Sequence, residues 1–162
     1  MGYHKDNHFS NLDWALIAIN SILLLFSWAH LIAWYPSLPE IIAVHFDVLG
    51  KPNGYSSKEN IWIAPILFTL VSVAFIFGAK YQEAITYPKR KIGKLERISN
   101  LKMMLSTALL LAILCLLIIY TMIEASIIEN FEIPWLMPII AGITAIYLGV
   151  VFYYKFKTLK LS

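Results

Sequence analysis

Charge is scarce in this chain. Of its 162 residues only 14% are Asp, Glu, Lys or Arg, while 59% are apolar. A soluble domain carries about a quarter charged residues and less than about half apolar ones. A domain of this size has too much surface to hide such an excess, so lipid must be the solvent for much of it. Cysteine is nearly absent as well: Cys115 stands alone. That excludes an internal disulfide and any Cys/His zinc spacing. Cys115 lies in the middle of an apolar run and reads as a small packed or lipid-facing residue. No HExxH-like motif, internal repeat or low-complexity tract occurs. The first apolar run begins only after Asp13 and is too long for the h-region of a cleaved signal peptide, so it is expected to persist as a transmembrane helix.

What is present are four apolar runs, at residues 14–34, 61–79, 103–123 and 135–154. Each holds enough residues to cross a hydrocarbon core of about 30 Å as an α-helix, and lipid tolerates no open backbone. The expected fold is therefore an all-α integral membrane protein, one domain over 1–162 built as a four-helix transmembrane bundle. Trp14, Trp34, Trp62, Trp135, Tyr153 and Tyr154 mark the ends of the runs, as in the aromatic belts of membrane proteins.

The formal net charge of +3 does not point to nucleic acid, because the basic residues flank the apolar runs. Lys80, Lys89, Arg90, Lys91, Lys94, Arg97 and Lys102 crowd the segment 80–102, and Lys155, Lys157 and Lys160 follow the last run. Residues 124–134 contain three Glu and no Lys or Arg, and residues 35–60 only Lys51 and Lys58. By the positive-inside rule, both termini and the 80–102 segment are expected in the cytoplasm, with the protein in the plasma membrane. Pro88 and Gly93 argue against one unbroken helix through that segment, and a helix from Lys94 is expected to continue into the third span.

Polar residues within the spans are few. Asp13, Asn20, Ser27, His30 and Trp34 share a stripe of the first span at 3.6 residues per turn, a pattern that faces a bundle interior or a wet cavity. His30 is expected to pack in the bundle and donate to a carbonyl, or else to join a site at the outer end. Glu124, on a face with Tyr120, is the carboxylate near enough to that end to meet His30. In the fourth span Ala141, Gly142, Ala145 and Gly149 form a small-residue face, read as a helix-packing surface.

The loop 35–60 is the most informative stretch. Pro36 and Pro39 end the first span and favour an extended chain. Ile42, Val44, Phe46 and Val48 alternate with Ala43, His45, Asp47 and Leu49, which predicts an extended segment with its apolar face on the bundle. His45 and Asp47 would then point the same way, away from that face. Gly50, Pro52, Asn53 and Gly54 are expected to form the turn. An imidazole with a carboxylate either locks a loop in shape or begins a metal site. No cofactor is expected; a divalent metal on His45 and Asp47, completed by His30 or Glu124, is the alternative.

Leu38-Pro39, then His45-Phe46, then Gly50, Pro52 and the aromatic Tyr55 resemble the domain of unknown function 1648. The resemblance covers residues 14–79. That family has a second proline where Ala43 stands, commonly Asn in place of Asp47, and Asp in place of Asn53. It occurs in bacterial and archaeal membrane proteins, including immunity proteins against a sporulation-delaying toxin peptide. The resemblance implies a sensing or immunity-type protein acting through Pro39, His45, Phe46, Asp47, Gly50, Pro52 and Tyr55. Its partners would be the bilayer and an extracellular peptide or another membrane protein, in a homo-oligomer or heteromeric complex. A small transporter or an accessory subunit of a transport complex, motivated by Asn20 and His30, is a second possibility. An outward-facing membrane metalloenzyme is a third.

Overall fold

The computed structural model describes residues 9–86, 93–128, 131, 132, 134 and 136–159. Within them, α1 (Asn11–Trp34), α2 (Ile63–Thr86), α3 (Lys94–Ile127) and α4 (Leu136–Leu159) are the long helices, and β1 (Ile41–Phe46) and β2 (Pro52–Ser57) lie between α1 and α2. All four helices are long and apolar enough to cross a membrane. The protein is thus a mostly helical, multi-pass membrane protein, with a small antiparallel hairpin that an all-α expectation did not include.

Local chemistry explains the helix ends. Ser10 caps α1: its hydroxyl accepts from the Asp13 N–H at 3.3 Å, and the Asp13 carboxylate accepts from the Ser10 N–H at 2.9 Å. This reciprocal box satisfies two of the otherwise unpaired donors of the first turn. α1 stops at Trp34 because Pro36 follows; a single 3-10 turn, Tyr35–Ser37, carries the chain over before Leu38 becomes extended. Pro36 therefore sits in a tight helical turn, not in extended chain as expected. A second 3-10 turn, Lys58–Trp62, precedes α2, which begins two residues later than the apolar run. Gly93 in extended conformation starts α3, and Lys94 is its first residue, as the sequence predicts. Pro88 lies outside the described residues.

α3 is the centre of the bundle. α1 and α2 both pack along it, and among the described residues α4 packs chiefly on it. The buried positions of α1 are Asp13, Asn20, Leu24, Ser27 and Leu31, so the polar stripe faces inward through Ser27, while Trp34 is exposed. Ala108, Ala112 and Cys115 are fully or almost fully buried on α3. Small side chains there let neighbouring backbones approach, and close packing is what holds helices together in lipid. The packed reading of Cys115 is thereby the correct one.

Polar contacts join the helices. The Ser72 hydroxyl on α2 lies 2.9 Å from Asn20 Oδ1 on α1 and 3.2 Å from the Ala108 carbonyl on α3. Trp28 Nε1 donates to Thr69 Oγ1 at 3.0 Å. At the end of the bundle remote from the hairpin, Lys102 pairs with the buried Asp13, and the Ser99 hydroxyl donates to the Tyr154 carbonyl at 3.3 Å.

α4 corrects one expectation. Its half-buried residues Ile140, Ile143, Thr144, Tyr147, Val151 and Tyr154 recur at three- and four-residue steps, and Tyr147 and Thr107 share a 2.6 Å hydrogen bond with α3. Ala141, Gly142, Ala145 and Gly149 are exposed instead, and a methyl group added at Gly142 or Gly149 would meet nothing within 4 Å. The branched and aromatic face bonds to α3 because it fills more volume and carries the hydroxyls that α3 can meet.

Candidate functional site at the hairpin end

The hairpin is held on the end of the bundle by its apolar face. Ile42 is fully buried in a cluster with Leu31, Leu38, Ile61, Ile119, Met122 and Ile123. Val44 and Phe46 pack against the same cluster, together with Tyr35 and Trp62. The predicted apolar face, Ile42, Val44 and Phe46, is thus realised, but Ala43, expected on the opposite face with His45, is fully buried as well, and the strand pairing is irregular around Val44. Val48 does not join that face, being 81% exposed in the turn.

The turn lies three residues earlier than expected. The Gly50 N–H donates to the Asp47 carbonyl at 3.0 Å, and the Asp47 N–H to the Lys51 carbonyl at 2.9 Å. Asp47 Oδ1 accepts from the backbone N–H groups of Leu49 at 2.8 Å and Lys51 at 2.9 Å. Gly50 has φ of 73°, a left-handed conformation that glycine adopts without steric cost. An Asp opening a turn that glycine closes is a common hairpin connection. Pro52, Asn53 and Gly54, read as turn residues, belong to β2. Pro52 is tolerated as the first residue of an edge strand. Gly54 lies opposite His45, where a Cβ would come within 2.9 Å of the His45 Cβ.

Further contacts tie the hairpin down. The Ala43 N–H donates to Ser126 Oγ on the last turn of α3 at 3.1 Å. At the base, Lys58 Nζ pairs with Glu40 at 2.7 Å and lies 5.7 Å from the centre of the Tyr35 ring. Near the tip, Lys51 Nζ pairs with Glu132 of the α3–α4 connection at 3.2 Å.

Between hairpin and bundle end is a groove of about 320 Å³. Lys51, Pro52 and Tyr55 form one wall; Ala125, Ser126, Ile127, Ile128 and Phe131 form the other. Its size lies at the lower end of ligand sites, and polar and apolar groups share its lining. The aromatic Tyr55, 64% exposed, stands free at the rim.

The predicted site residues divide accordingly. Pro52 and Tyr55 line the groove. Asp47 and Gly50 build the turn, Phe46 anchors the sheet, and Pro39 lies in the connection before β1. His45 is exposed on β1. His45 and Asp47 do not form a bonded pair, since Asp47 is taken up by the turn backbone. His30 lies among rings: Phe26 at 6.3 Å, Tyr120 at 6.0 Å and Trp34 at 6.3 Å between centroids. Its Nε2 is buried with no hydrogen-bond partner, so it does not donate to a carbonyl there as expected. Among the described residues no hydrogen bond or ion pair joins His30 to Glu124. Asn20 is buried in the contact to Ser72, far along α1 from the groove. No three His, Cys, Asp or Glu side chains among the described residues converge where a metal ion would fit. Ser126, Phe131 and Glu132 escaped sequence reasoning, because their partners lie about 80 residues away and no local pattern marks them.

A 66-residue stretch, 41% of this chain, is 29% identical to an uncharacterized protein of Archaeoglobus fulgidus. It spans about a third of that relative, 36% of its length. No solved structure matches the chain. Residues 22–69, from the middle of α1 through the hairpin into α2, match the family described as Domain of unknown function (DUF1648).

Proposed function

We propose that this protein is a sensing or immunity-type component of the plasma membrane that engages an extended extracellular peptide in the groove between β2 and the end of α3. In this reading both termini and the basic 80–102 segment are cytoplasmic, and the hairpin faces outward. The lopsided distribution of Lys and Arg supports that orientation. The observation that carries the reading is the groove itself. One of its walls belongs to the segment that matches the family, and the Lys51–Glu132 ion pair and the Ala43–Ser126 hydrogen bond tie the hairpin to the other. A preformed site loses less entropy on binding than a loose loop would. β2 has β1 on one side and no strand on the other among the described residues. Such an edge suits a peptide that adds a strand and places alternate side chains against Tyr55 and Phe131.

The Asn20–Ser72–Ala108 contact gives Asn20, one of the residues behind the transport reading, a helix-joining role. That favours recognition over transport.

The test is survival of a sensitive bacterium challenged with the sporulation-delaying toxin peptide. Cells making the wild-type chain should survive. Cells making Tyr55→Ala at equal membrane abundance should lose protection, while Ser57→Ala should retain it. Equal killing with and without the wild-type chain would overturn the immunity reading.

A further inference from the structure

The hairpin tip carries two large apolar side chains that none of the described residues covers. Val48 is 81% exposed and Leu49 63%. In a turn, where polar residues are the norm, both would sit in water if the hairpin stood upright. It does not stand upright. Ile42, Val44 and Phe46, spread along β1, all rest on the bundle end. A strand packed along its length on the end of a membrane-spanning bundle runs roughly parallel to the membrane plane. The tip is pinned sideways as well, since Lys51 pairs with Glu132 beside the start of α4. Six residues of strand extend about 20 Å, enough to carry the turn from the middle of a bundle end to its rim.

We infer that Val48 and Leu49 form an interfacial wedge that rests in the headgroup region of the bilayer at the hairpin end of the bundle. The occupant is lipid because the tip continues a surface that lipid already covers. The exposed apolar residues of the four spans lie below it. Lys51 stands beside the wedge with its ammonium in the more polar layer, the arrangement of interfacial anchors that bury apolar side chains and keep their charge wet. The wedge uses the tip and leaves the groove open, so it stands independently of the proposed peptide site.

The test is depth-resolved fluorescence of the full-length chain in phosphatidylcholine vesicles. Cys115→Ala supplies a cysteine-free background, into which Val48→Cys, Leu49→Cys or Asn53→Cys is introduced. Each is labelled with an environment-sensitive dye. Asn53 is exposed on β2 and reports the watery side of the same hairpin. At positions 48 and 49 the emission should be blue-shifted, quenched by lipids with a shallow nitroxide and insensitive to iodide. At position 53 the pattern should be reversed. Iodide quenching at 48 and 49 equal to that at 53 would overturn the inference. Shielding of 48 and 49 from both quenchers would overturn it in favour of a protein contact. Helix content by circular dichroism, unchanged from wild type, qualifies each variant for comparison. Val48→Asp with the dye at 49 gives an independent arm, in which lipid quenching should be lost.

Discussion

Asp47 was expected to work with His45 and works with the backbone instead. Its Oδ1 accepts from two N–H groups of the turn, and an amide oxygen can do the same. Asp47→Asn should therefore leave the thermal midpoint nearly unchanged, whereas Asp47→Ala should lower stability by about 1 kcal/mol, the usual net worth of such bonds. Gly50→Ala should cost about 1–2 kcal/mol through the left-handed conformation at that site. Hydrogen exchange at Leu49 and Lys51 reads both. In the bundle, Asn20→Ala removes one partner of Ser72 but leaves the Ala108 carbonyl for the hydroxyl to use. A loss of roughly 0.6–1.7 kcal/mol is expected in detergent-titration unfolding, the range for interhelical hydrogen bonds in membranes. A far larger loss would mean that Asn20 does more than join helices.

At the scale of elements, a glycine in a strand and a glycine in a helix differ sharply. Gly54→Ala should destabilise the hairpin by about 1–3 kcal/mol, because the new methyl group meets the His45 Cβ, which cannot swing aside. Gly142→Ala on α4 should be neutral or slightly stabilising, since the space beside it is open. Thermal unfolding of both variants separates them. The four spans were legible from the sequence because apolar runs of the right length leave a membrane chain little choice. β1 was legible from its alternation. The turn was misplaced by three residues, because Gly50, Pro52, Asn53 and Gly54 all have turn-forming chemistry and only cross-strand pairing decides among them. The face of α4 was misread for a related reason: small residues permit close approach but do not choose a partner, and the bulkier face with Tyr147 found α3 first. The groove was illegible, since Ser126 and Phe131 come from a part of the chain with no local tie to the hairpin.

For the molecule as a whole, the bundle has two chemically distinct ends. One holds the Asp13–Lys102 pair and the basic residues around Arg97; the other holds the hairpin, the groove and Glu132. The charge distribution predicts which faces the cytoplasm. In a Cys115→Ala background, a cysteine at Asn53 should react with a membrane-impermeant maleimide in intact cells, and one at Lys94 only after the cells are opened. The reverse pattern would invert the topology and remove the groove from the outside. The central claim, peptide recognition in that groove, is tested most directly by photo-crosslinking. A benzophenone amino acid replaces Tyr55 at the rim or Ile41, exposed elsewhere on the hairpin, and labelled sporulation-delaying toxin peptide is added to intact cells. The account predicts a crosslinked adduct from position 55 and none from position 41. No adduct from 55, or equal adducts from both, would contradict it.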